Sequence, residues 1–106
     1  MVFMRICRLL PIALLLFCAS AFSQGGHWVE LYEPQVYEGL PVRVMKPFGF
    51  DESKHYPVIL SLHGAGGKGT DNKKQLKDWN KQLAEKRVRE KFPCYVVAPQ
   101  APGLWN

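Results

Sequence analysis

Pro57-Val58-Ile59-Leu60-Ser61-Leu62 runs straight into His63-Gly64-Ala65-Gly66-Gly67-Lys68-Gly69-Thr70, an apolar run passing into a glycine loop. The run is almost continuously apolar and β-branched at Val58 and Ile59, a pattern that predicts a strand buried on both faces. Such strands sit inside parallel sheets with helices on either side. Downstream, Tyr95-Val96-Val97-Ala98 repeats the pattern in shorter form, and Pro99 ends it. Between the two, residues Asn72–Lys91 predict a helix that Pro93 stops. Leu76, Trp79, Leu83, Ala84 and Val88 cover a broad arc of it, and Lys73, Lys77, Lys81, Lys86, Arg89 and Lys91 mostly fall outside that arc. Asn72 with Gln75 three residues later predicts a capping box. Strand, helix, strand is a βαβ crossover with a parallel pair.

Upstream, Val36-Tyr37, a turn at Glu38–Pro41 and Val42–Met45 read as strand, turn, strand. Their connection is too short for a crossover, so they pair antiparallel. Val42 and Val44 share a face and Arg43 points the other way, which makes the second strand half exposed. A polar connection over residues 47–55 leads back to Pro57. The expected fold class is α/β: an antiparallel strand pair, then a βαβ unit of a mostly parallel sheet, an incomplete three-layer sandwich.

The chain has 106 residues, 47% of them hydrophobic and 22% charged, with 9 Gly and 8 Pro. That composition is globular, and the length allows at most one small domain. Arg5 and Arg8, the apolar run Leu9–Phe17 and the small residues Ala19, Ser20 and Ala21 have the form of a secretory signal peptide. Cleavage is expected after Ala21, with Ser23 as the second choice. The mature part is then residues 22–106, secreted or periplasmic, with no stable membrane anchor, because the apolar run is shorter than the roughly 20 residues of a span. Cys7 and Cys18 fall in the leader, so Cys94 stands alone and closes no internal disulfide. It reads as packing. The net charge is +5, and residues 68–106 carry nine basic against four acidic groups. Asp78, Glu85 and Glu90 interleave with the lysines and no aromatics do, so this is a solvated helix face rather than a nucleic-acid surface. No metal-ligand spacing occurs, and neither a metal nor a cofactor is expected.

The glycine loop carries the chemistry, and three mechanisms compete for it. A Walker phosphate loop fails because Lys68 precedes Gly69 instead of Ser or Thr, and Leu62 stands where the opening glycine belongs. Gly64-x-Gly66-x-x-Gly69 matches a dinucleotide fingerprint, but polar Thr70-Asp71-Asn72 separate it from the helix that should face the pyrophosphate. No acid follows Val97-Ala98-Pro99-Gln100 to hold a ribose. The third mechanism is an oxyanion loop, in which rigid backbone N–H groups meet the negative charge that grows on an attacked ester carbonyl. His-Gly-x-Gly directly after such a strand is a place where one of those donors is found.

Residues 55–105 resemble the start of a secreted α/β-hydrolase of the phospholipase/carboxylesterase type, with feruloyl-esterase-like and polyhydroxyalkanoate-depolymerase-like relatives. The matching words are residues 56–66, through His63-Gly64-Ala65-Gly66, and residues 92–102, through Ala98-Pro99-Gln100, with Trp105 after. The resemblance implies a serine-type carboxylic-ester hydrolase acting on a small-molecule or polymer ester. It implies that the backbone N–H of Ala65, or of Gly66, is an oxyanion donor, with His63 and Gly64 positioning the loop. It also exposes an absence. The family carries its nucleophile on a Gly-x-Ser-x-Gly elbow followed by an acid and a histidine. None of Ser20, Ser23, Ser53 and Ser61 lies in such an elbow, and His27 and His55 precede the motif. Nucleophile, acid and base are therefore expected outside these 106 residues, the chain being the N-terminal portion of one domain and inactive alone. In the family a fifth strand flanks the third, and without it residues 58–62 form an exposed apolar edge. An inactive remnant and a dinucleotide module on Gly64, Gly66 and Gly69 are the competing expectations, and the oligomeric state is left open.

Overall fold

The computed structural model describes residues 28–105. The leader expected over residues 1–21, the cleavage site expected after it and His27 lie outside the described residues. After a 3-10 turn at Trp28–Leu31 the chain forms β1 (Tyr32–Tyr37) and β2 (Leu40–Met45), which pair antiparallel with Tyr32 opposite Met45 and Tyr37 opposite Leu40. Glu38 and Gly39 both take positive φ, 48° and 81°, so a two-residue turn joins the strands. Its twist matches that of the hairpin. The turn is shorter than the sequence predicts, because Leu40 and Pro41 already belong to β2.

Further on, β3 (Val58–Leu60) and β4 (Tyr95–Pro99) pair parallel, with Val58 beside Tyr95 and Leu60 beside Val97. Strand β4 also pairs antiparallel with β2, Val42 opposite Pro99 and Met45 opposite Val96. The sheet order is β1-β2-β4-β3. The α/β class and the sequence of antiparallel pair then βαβ are therefore as expected.

Tyr32, Met45 and Val96 stand in one row across the sheet and are fully buried, with Ile59 continuing the row on β3. Burying each such side chain stabilises by about 1.5–3 kcal/mol. Ala84 closes this core from above, and Trp28, Leu76, Leu83 and Cys94 pack around it. On the opposite face Phe50, Tyr56 and Tyr95 meet with ring centroids 5.9–6.1 Å apart.

Four expectations need correction. The run Pro57–Leu62 is not a strand buried on both faces. Only Val58–Leu60 is strand, it lies at the edge of the sheet, and Val58 and Leu60 are 62% and 60% exposed. Ile59 faces the helices and is 38% exposed. The helix also differs. Asn72 has φ 52°, a left-handed conformation that excludes it from a right-handed helix. Residues 72–77 are loop, α1 spans Asp78–Ala84 and α2 spans Lys86–Lys91, with Glu85 extended between them. The expected Asn72–Gln75 capping box is instead a bond from the Gln75 carboxamide to the Asn72 side-chain oxygen inside the loop. At the true helix start the Asn80 side chain accepts the Lys77 N–H at 2.8 Å. Trp79, expected on the packed arc, is 45% exposed.

Candidate active site

The parallel arrangement of β3 and β4 brings their carboxyl ends side by side, and the loops leaving them meet there. Open α/β sheets place their sites at that edge. From β3 comes His63, buried, and then a single 3-10 turn at Ala65–Gly67 closed by Gly67 N–H on Gly64 C=O at 3.0 Å. From β4 come Gln100 and Ala101, both buried, and then Leu104 and Trp105.

His63 ties the two loops together. The Ala101 N–H donates to its Nε2 at 2.9 Å, which leaves the ring proton on Nδ1, and Nδ1 donates to Gly64 C=O at 2.7 Å. The Trp105 indole N–H donates to the His63 carbonyl at 2.9 Å, and the two rings lie 4.8 Å apart. Both ring nitrogens are thus engaged with backbone, and neither is free to take a proton from a nucleophile.

Beside this histidine is an open cleft of about 290 Å³ between Gly64-Ala65 and Gly103-Leu104-Trp105, with Lys68 at its rim. Ala65 and Gly66 are exposed. Neither of their N–H groups donates to another group among the described residues, whereas those of Gly67 and Gly69 are bound to Gly64 and Ala101 carbonyls. The first N–H groups of a helical turn have no partner within it. The glycines divide in the same way. A Cβ on Gly67 would fall 2.5 Å from His63 Cγ, and Gly69 has φ +142°, so the fold itself requires both. A Cβ on Gly64 would meet nothing within 4 Å, one on Gly66 only the Lys77 ammonium at 3.7 Å, and neither residue has positive φ. Neither backbone nor packing demands glycine at 64 and 66; both lie on the open side.

The remaining sequence candidates fall elsewhere. Ser61 is buried, and its Oγ accepts from Trp79 Nε1 at 2.8 Å and Asn80 Nδ2 at 3.0 Å, which pins α1 to the end of β3. Ser53 is bound to Asp51 in the connection before β3, and His55 is exposed there. Among the described residues no serine is hydrogen-bonded to a histidine. Cys94 lines an apolar hollow of about 520 Å³ with Met45, Ile59, Leu83 and Val88, by the amino ends of β3 and β4 and away from the glycine loop. Burial pushes its thiol up, away from the reactive thiolate. The dinucleotide mechanism needs a helix beginning at Gly69, and α1 begins at Asp78.

Sequence reasoning missed the polar side chains behind the loop. Gln75, Asn80 and Gln100 are fully buried. Gln100 Nε2 donates to Gly67 C=O at 3.0 Å and to Asp71 Oδ1 at 2.8 Å, and its Oε1 accepts the Asn72 N–H at 2.6 Å. The Asn72 carbonyl accepts from Arg43 Nε at 2.7 Å, and its side chain donates to Val42 C=O at 3.2 Å. Together with amides of Lys73 and Lys74, the Gln100 hydrogen bond holds the Asp71 carboxyl at about 2. The one usable signal was the position of Gln100, directly after a buried strand and facing a loop of glycines.

No protein-family model matches the chain. Probable dipeptidyl-aminopeptidase B of Trichophyton verrucosum (strain HKI 0517) is 44% identical over 45 residues, 42% of this chain. The protein of the same description from Arthroderma benhamiae (strain ATCC MYA-4681 / CBS 112371) matches equally. The chain covers 5% of the length of each. Among solved structures, a thermostable esterase superposes with a TM-score of 0.64 at 28% identity over 73% of this chain and 23% of its own. Strand order, the placing of the glycine loop at the strand ends and these likenesses together give the chain an incomplete fold of the α/β-hydrolase type.

Proposed function

We propose that residues 63–66 form the oxyanion loop of a secreted serine-type carboxylic-ester hydrolase, and that nucleophile, acid and base come from polypeptide outside residues 1–106. The observation that carries this reading is the pair of N–H groups at Ala65 and Gly66 that donate to no other group among the described residues, beside two glycines that the fold does not need. Glycine without a conformational reason leaves room for a ligand against the backbone. An ester carbonyl seated in the cleft would place its oxygen at these amides, where the tetrahedral charge develops. Loss of one such donor costs on the order of 10²–10³ in rate. His63 and Gly64 are then positioning groups, and the indole of Trp105 is one wall of the substrate cleft. The likeness to the thermostable esterase supports the ester class. The leader pattern supports export, and the amino terminus of the mature protein would then be Phe22.

The test is made on the natural protein that contains this chain. It should hydrolyse p-nitrophenyl esters and be labelled by a fluorophosphonate serine probe, while the 106-residue chain does neither. Gly64→Ala and Gly66→Ala should each keep the thermal midpoint within about 3 °C, as surface substitutions do, yet lower kcat/KM at least tenfold. Both variants retaining wild-type kinetics would end the proposal, as would a protein that neither hydrolyses an ester nor takes the probe.

A further inference from the structure

The segment from Gly64 to Gly69 contains four glycines, the residue with most conformational freedom to lose on folding. Oxyanion donors must nevertheless be held rigidly, since misplacement by about 1 Å can cost on the order of 10² in rate. Something outside the loop has to supply that rigidity. Lys77 reaches Gly66 C=O at 3.1 Å, but its ammonium is in solvent. The buried contacts all come from the end of β4. Ala101 N–H holds His63 Nε2 on one side of the turn, Ala101 C=O holds Gly69 N–H at 3.0 Å on the other, and the Gln100 carboxamide holds Gly67 between them.

We propose that Gln100 is a positioning residue for the glycine loop: its carboxamide grips Gly67, Asp71 and Asn72 at once and so fixes where the Ala65 and Gly66 amides point. This rests on the oxyanion reading of those amides. The geometry suits the task. Gln100 is fully buried and uses both ends of its side chain, so its carboxamide cannot turn over without losing bonds at Gly67, Asp71 and Asn72 together. It grips the carbonyl of Gly67, the residue whose own N–H closes the 3-10 turn on Gly64. The donor pair at 65 and 66 lies inside that turn. The far end of the grip is anchored too, because Asn72 is bound to Arg43 and Val42 of β2. Gln100 thereby connects the loop to three strands: β3 through the chain leaving it, β4 through its own backbone, and β2 through Asn72. The depressed Asp71 carboxyl is a consequence, since Gln100 is the largest contributor to it.

Gln100→Glu in the natural protein is the direct test. The substituted side chain keeps the acceptor for Asn72 N–H but sets a carboxylate oxygen against Gly67 C=O and Asp71. The expected result is a 10- to 100-fold lower kcat with KM within threefold. In amide spectra, the Ala65 and Gly66 resonances should shift or broaden, and those of β1 and α1 should stay in place. Wild-type kcat, or Ala65 and Gly66 resonances that do not move, would overturn the proposal. Should Gln100→Glu not fold, Gln100→Met, which keeps the volume and gives up the polar bonds, takes its place. Failure of both to fold also overturns it, because Gln100 would then be a residue of the fold as a whole. If the wild-type protein hydrolyses no ester, the oxyanion reading falls instead, and the amide spectra alone decide the role of Gln100.

Discussion

At the scale of single residues, the four glycines of the loop do different work. Gly67 packs its bare Cα against the His63 ring, and that ring is fixed by Ala101, Gly64 and the Trp105 ring that lies against it at a tilt of 44°. A methyl group at 67 therefore has no neighbour able to yield. Overpacking of this kind costs about 1–3 kcal/mol, which for a domain of this size lowers the thermal midpoint by roughly 4–8 °C per kcal/mol. Gly67→Ala should show that drop in a melting experiment while Gly64→Ala, with open space at its Cβ, should not. Equal midpoints for the two would mean that the His63 ring is not locked. The words His63-Gly64 and Ala65-Gly66 could be picked out of the sequence because loop glycines after an apolar run are conspicuous. The position of Gln100 after a buried strand was visible too, but the burial of Gln75, Asn80 and Gln100 behind the loop was not, because a buried amide and a surface amide are the same letter until its partners are known.

At the scale of elements, the β1–β2 hairpin was legible and the helix was not. Glu38-Gly39 is a turn by composition, and its two positive φ values are what the right-handed twist of a two-residue hairpin requires. No atom lies within 4 Å of a Cβ built on Gly39. Its replacement by alanine therefore probes backbone strain alone, without a packing contribution. Gly39→Ala should destabilise by about 1–2 kcal/mol, read from the denaturant midpoint, and an unchanged midpoint would show that the turn relaxes to another type. The helix failed for a reason outside its own sequence. Apolar spacing from Leu76 to Val88 favours helix throughout, but Asn72 is drawn into a left-handed conformation, with its N–H, C=O and side chain all bound to Gln100, Arg43, Gln75 and Val42. Tertiary hydrogen bonds outweigh local propensity, which is worth only tenths of a kcal/mol per residue. The helix consequently starts at Lys77-Asp78, where the Asn80 side chain meets the free Lys77 N–H.

At the scale of the whole molecule, the two edges of the described sheet differ in chemistry. The β1 edge mixes exposed Glu33, Gln35 and Glu38 with Pro34 and the exposed Val36 and Tyr37. The β3 edge presents Val58, Ile59 and Leu60, followed by Leu62, itself 51% exposed. An apolar edge strand with unpaired backbone groups is a template for pairing. The 106-residue chain should accordingly self-associate, and Leu60→Lys should lower its apparent mass in light scattering. A wild-type chain that stays monomeric at high concentration would show the edge to be harmless. The apolar run at residues 57–62 announced a strand made for burial, and the burial it needs is not provided by the elements described here. By itself the sequence determined the α/β class, the hairpin, the parallel pairing of the two apolar runs and the glycine loop between them, because each follows from periodicity and turn chemistry within a short window. Only the tertiary structure decided that the Ala65 and Gly66 amides stay open, that His63 spends both ring nitrogens on backbone, and that Gln100 holds the loop. Those outcomes depend on which groups are brought together across 28 to 38 positions of chain, and no local pattern encodes a distance of that kind.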